Sequence, residues 1–92
     1  MKCLDDCHGY EMDTFMGDKD TIHKILRFYE MRENGDRIDG VTNEEVLRVL
    51  IHRLKFLNEE WQGGKFKCEE NDQAIFHLER TLKYLEKRTK DR

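Results

Sequence analysis

GVTNEEVLRVLIHRLKFLN, residues 40–58, decides the architecture of this chain. Thr42 is followed three residues later by Glu45, the capping-box spacing that satisfies the free amides of a helix start. Glu44 and Glu45 also suit the positive end of a helix dipole. Leu47, Leu50, Leu54, Leu57 and Trp61 then recur at helical spacing, which predicts one amphipathic helix over roughly residues 43–61 and a leucine stripe as its core face. Gly63 and Gly64 end it.

Downstream, Ile75, Leu78, Leu82 and Leu85 repeat the pattern, so a second helix is expected from about Glu69–Asn71 onward. Lys87, Arg88 and Lys90 fall in its last turns, where cations complement the dipole. Two long helices joined by a short loop read as an antiparallel αα-hairpin. Its stripes and their flanks (Val46, Phe56, Phe76, Tyr84) carry more apolar surface than one hairpin can cover. The surplus is expected to pack on a β-hairpin and on other copies of the chain.

Upstream, Ile25–Tyr29 is dense in β-branched and aromatic side chains. Asn34-Gly35 is a strong turn signal, and Arg37–Asp39 supplies a return strand, so a β-hairpin is expected between about Thr21 and Asp39. Residues 1–20 show no period and read as an irregular lead-in. The expected organisation is therefore an irregular segment over 1–20, then one domain over 21–92. Its fold class is α+β: a short β-hairpin followed by a long antiparallel αα-hairpin, completed by oligomerisation.

Ninety-two residues allow one domain, burying only roughly 60 to 65% of its unfolded surface. No apolar run exceeds three residues, so no segment spans a bilayer, and no apolar leader is seen. A cytoplasmic location is expected, with no membrane partner. Seventeen basic against 20 acidic residues, net −3, argue against a DNA or RNA polymer as partner. The charges are segregated, with an acidic head over residues 1–20 and a basic tail over 79–92.

Chemistry-bearing groups are sparse. Cys3, Cys7 and His8 lack a second ligand pair for zinc, and incidental reduced thiols are the favoured reading. Cys68 has no evident base, and Glu69-Glu70 do not face each other on a helix. No metal, no cofactor and no catalytic set is expected, so the chain reads as a non-enzyme. Arg88 and Arg92 are four residues apart and would share a helix face as a clamp for phosphate oxygens, although from the residues alone a solvated, frayed helix end is the favoured reading. Phe56 could stack on a base or serve the core. Asn71 reads as a helix cap whose amide could also donate to a ligand.

GVTNEEVLRVLIHRLKFLN, CEEN (68–71) and AIFHLERTLKYLEKRTKDR (74–92) together resemble the helical-hairpin domain of phage nucleotide-sponge proteins, the anti-Thoeris and anti-CBASS family. ILRFYEM (25–31) is similar to the family's preceding strand, and the likeness is stronger to the anti-Thoeris branch. The resemblance implies sequestration, without degradation, of cyclic ADP-ribose signals, and in some members of cyclic oligonucleotides in separate pockets. On this likeness the stacking aromatic falls on Phe56, the CREN-type asparagine on Asn71, and the terminal arginines on Arg88 and Arg92. Glu69 stands where the family usually has arginine, Tyr84 where it has tryptophan, and Gln62–Lys65 lengthens the loop.

Asn71 and Arg88 are 17 residues apart, about 25 Å along a helix. One pocket holding Phe56, Asn71, Arg88 and Arg92 therefore needs a second copy, which implies a homo-oligomer, a dimer or a hexamer. The alternative at this point is an oligomerisation or protein-interaction module with no small-molecule ligand, working through Leu47, Leu54, Ile75 and Leu82.

Overall fold

The structure, a computed structural model, describes residues 1–17 and 24–91. The expected strand positions at Thr21–His23, and Arg92, lie outside the described residues. The chain divides into two compact units, Met1–Thr42 and Asn43–Arg92.

The first unit is built of short strands. The segment expected to be an irregular lead-in contains a β-hairpin: β1 (Lys2–Leu4) pairs antiparallel with β2 (Gly9–Glu11), with Cys3 opposite Tyr10. The turn between them is left-handed, with Asp5, Asp6 and Cys7 all at positive φ (50°, 53° and 69°). Aspartate tolerates that region better than most side chains, and the Arg27 guanidinium holds Asp5 at 2.8 Å. Three-residue strands are too short to print a visible alternation, so periodicity missed them.

β3 (Ile25–Arg27) pairs with β2, completing a three-stranded antiparallel sheet in the order β1-β2-β3. The Asn34-Gly35 hairpin forms as expected, with a tighter first strand: β4 (Glu30–Met31) pairs antiparallel with β5 (Arg37–Ile38). Gly35 takes φ 92°, and the Asp36 amide donates to Asn34 Oδ1 at 3.0 Å. Gly40 lies against the backbone of Phe28, where an added Cβ would sit 2.5 Å from the Phe28 carbonyl carbon. That closeness lets Val41 N donate to Arg27 O (3.0 Å) and Tyr29 N to Val41 O (2.9 Å).

The second unit is the expected helical hairpin. α1 runs Asn43–Glu59 and α2 Glu69–Lys90. Two interhelical ion pairs fix an antiparallel register: Arg48 with Glu86 at 3.8 Å and Lys55 with Glu79 at 3.6 Å. Seven residues forward on α1 correspond to seven back on α2.

Two details of the first helix depart from expectation. It stops at Glu59, so Trp61 belongs to the turn Trp61–Gly64 and is 44% exposed. The enclosed seam is also rotated by one position: Ile51 and Asn58 are the buried residues of α1, whereas Leu50 is exposed. Leu47, Ile51, Leu54 and Asn58 share a face at spacings of four, three and four, and Ile75 is the buried residue of α2. Gln62, Gly63 and Gly64 take positive φ in succession, the reason glycines close this turn.

Candidate functional site

Asn58 organises the turn end of the hairpin. It is fully buried, its Nδ2 donates to Asp72 Oδ1 at 2.7 Å, and its Oδ1 accepts from the Cys68 amide at 3.2 Å. One side chain thereby joins the end of α1, the residue preceding α2 and the first turn of α2. Sequence reading passed over Asn58. Its signal was there, since a polar residue in phase with Leu47, Ile51 and Leu54 must be hydrogen-bonded when buried.

The expected cap role of Asn71 is not what the structure shows. Cys68 occupies the N-cap position with extended backbone, and Asn71, three residues inside the helix, donates its Nδ2 to Phe66 O at 2.9 Å. Half-buried, it fastens the loop to the helix start.

Phe56 lies near the end of α1, 38% exposed, and its ring meets Trp61 at 5.8 Å with a 53° tilt. It is partly packed against Trp61 and partly open. Phe56 borders an open trough on the outer face of α1, lined also by Glu45, Arg48, Val49, His52 and Arg53. Arg48 is engaged by Glu45 (3.2 Å) and Glu86. Arg53 has no carboxylate partner among the described residues. Arg53 and His52 stand three and four residues before Phe56, the spacing that puts side chains on one face; sequence reading did not single them out.

Arg88 lies at the far end of α2, exposed, with no ion pair among the described residues. The helix is continuous to Lys90, with Asp91 N donating to Lys87 O at 2.9 Å, so Arg88 sits about 25 Å from Asn71 along the axis. The structure thus places Phe56 and Asn71 towards the turn end and Arg88 at the opposite end, and one chain does not bring them together. Nearer the middle of α2, Arg80, Lys83, Tyr84 and Lys87 line a second basic trough, and the Arg80 guanidinium lies 5.6 Å from the Phe76 ring centroid. Val49, Leu50, Phe76 and Tyr84 are exposed in the single chain.

Among the described residues no group of three His, Cys, Asp or Glu side chains is placed to hold a metal ion, and no helix is long and apolar enough to cross a membrane. In the first unit Cys3 Sγ and Cys7 Sγ lie 2.6 Å apart.

A small β unit is followed in sequence by a charged helical hairpin, with aromatic and asparagine side chains near its turn and cations along its second helix. The family model described as Acb2/Tad1, hairpin domain, matches residues 18–90, and the chain belongs to that family. A relative named Thoeris anti-defense 1, from Bacillus phage SBSphiJ7, is 41% identical over 54 residues, covering 59% of this chain and 35% of the relative. The chain thus spans about a third of the length of the curated relative it matches. No solved structure matches.

Proposed function

We propose that the chain is a phage anti-defence protein that sequesters a small cyclic nucleotide immune signal of the cyclic ADP-ribose type in the host cytoplasm, without breaking a bond in it. Membership of the hairpin family over residues 18–90 supports the reading, as does the anti-defence name of the phage relative. In this reading Phe56 stacks on the adenine, Asn71 donates to a polar edge, and Arg88 with Arg92 neutralises the pyrophosphate.

The observation that carries the assembly is the separation of Phe56 and Asn71 from Arg88 on one rigid hairpin. A ligand much shorter than about 25 Å can meet both groups only where two copies pair antiparallel, giving two identical sites per dimer. The same pairing covers exposed Val49, Leu50 and Phe76. The basic trough of Arg80, Lys83, Tyr84 and Lys87 is distinct from this pocket and suits a second anionic ligand such as a cyclic oligonucleotide.

Calorimetric titration with cyclic ADP-ribose isomers and cyclic oligonucleotides tests the reading, followed by denaturation and analysis of the released ligand. Stoichiometric recovery of intact ligand is expected. Recovery of a ring-opened product would make the protein an enzyme. Absence of binding to every one of these ligands would favour a pure interaction module instead.

A further inference from the structure

Cys3 is the middle residue of β1, and Cys7 ends the left-handed turn that follows the strand. Their sulfurs are in direct contact, 2.6 Å apart. Both side chains are exposed, so oxidants reach them. The turn is pinned on all sides: Asp5 by Arg27 (2.8 Å), the His8 amide by Asp5 O (3.1 Å), and His8 O by the Phe28 amide (2.7 Å). The fold thus holds the two thiols together independently of any bond between them. Three successive non-glycine residues at positive φ are an unusual expense for a surface turn whose only product would be incidental thiols.

We propose that Cys3 and Cys7 are a redox pair, a modification site that converts reversibly between dithiol and intramolecular disulfide by exchange with a low-molecular-weight disulfide. The exchange proceeds in two displacements. One thiolate, having lost its proton to water, attacks a sulfur of glutathione disulfide, forming a mixed disulfide and expelling one glutathione thiolate. The second thiolate attacks the protein sulfur of that mixed disulfide, forming the Cys3–Cys7 bond and expelling the second glutathione. The protein loses two electrons and two protons, and glutathione disulfide becomes two glutathione thiols. The Cys7 sulfur beside Cys3 pushes the Cys3 thiol above its ordinary range, and it pushes the Tyr10 phenol up as well. Cys68 lies in the other unit and serves as an internal control.

The test incubates the full chain in graded mixtures of reduced and oxidised glutathione, traps free thiols by alkylation, and reads intact mass and peptides. The expected product is a chain two hydrogen atoms lighter, bridged Cys3 to Cys7 with Cys68 alkylatable, exceeding glutathione adducts at Cys3 or Cys7 by roughly tenfold because ring closure is intramolecular. Cys3→Ser and Cys7→Ser each convert this product into a stable mixed disulfide, and Cys68→Ser leaves it unchanged. Repeating the oxidation in concentrated urea lowers the preference, since the turn no longer holds the pair. Glutathione adducts spread equally over all three cysteines, bridges involving Cys68, or the same preference in urea would each overturn the proposal.

Discussion

Asn58 Nδ2 donates to Asp72 Oδ1 at 2.7 Å across the hairpin turn, a hydrogen bond between a fully buried amide and a carboxylate in the first turn of α2. The same amide group accepts from Cys68 N, so both ends of the connection depend on one side chain. Asn58→Ala removes both bonds and leaves an enclosed void, and is expected to destabilise the hairpin by about 2 to 3 kcal/mol. The melting temperature should fall by roughly 10 °C or more. Asn58→Asp, which sets a second carboxylate against Asp72, should be at least as damaging at neutral pH. A change under about 0.5 kcal/mol in thermal unfolding would show that the turn is held by something else.

The buried seam and the open aromatic make different demands. Ile51→Ala and Ile75→Ala each truncate a buried core residue and should cost about 2 to 4 kcal/mol. Phe56→Ala removes a ring that is only partly covered and should cost about 1 kcal/mol. Ligand binding should respond in the opposite order, with Phe56→Ala weakening it by roughly tenfold to a hundredfold as base stacking is lost. Denaturant midpoints and titrations on the same three variants check the ordering. Unchanged affinity for Phe56→Ala would return that ring to the core.

Complementation between copies is a sharper test of a shared pocket. Arg88→Ala should weaken cyclic ADP-ribose binding by roughly tenfold to a hundredfold while leaving the melting temperature unchanged, because Arg88 is exposed and carries no ion pair among the described residues. Phe56→Ala alone should be similarly impaired. Mixed after unfolding and refolding together, the two variants should regain about a quarter of the wild-type sites, since half the dimers are mixed and half the sites in each are intact. A mixture that binds no better than its components would exclude a site assembled from two chains.

Gly40 offers a test confined to the first unit. The Cβ of Gly40→Ala would lie 2.5 Å from the Phe28 carbonyl carbon and 2.7 Å from Arg27 O, so the backbone must move. The expected cost is about 1 to 3 kcal/mol. Hydrogen exchange should accelerate at the Val41 and Tyr29 amides, whose bonds cross this contact, and leave the α1 amides unchanged.

The helical hairpin was legible in the sequence because two long stripes repeat over many turns. Ile75, Leu78, Leu82 and Leu85 lie on the seam side, while the register, which the stripes alone do not set, shows in the Arg48–Glu86 and Lys55–Glu79 pairs of the structure. Choosing the inner edge of the α1 stripe was harder, because Leu50 and Ile51 are adjacent and either could face inward; α2 packs on Ile51. The β1-β2 hairpin was not legible, since strands of three residues carry no period and their turn uses aspartates where glycines would have been recognised. Of the candidate site, Phe56 and Asn71 sit towards the turn as their positions imply. The tie from Asn71 to Phe66 O needed coordinates, because the loop path through the successive positive φ angles at 62–64 decides which carbonyl lies in reach.

The thin seam of the hairpin sets how the protein responds to its own abundance. With Ile51 and Ile75 as its enclosed apolar residues and aromatic rings open on both helices, a solitary copy keeps little in reserve against unfolding. If copies cover one another, dilution would act as a denaturant, and each further copy would shelter those already present from unfolding and proteolysis.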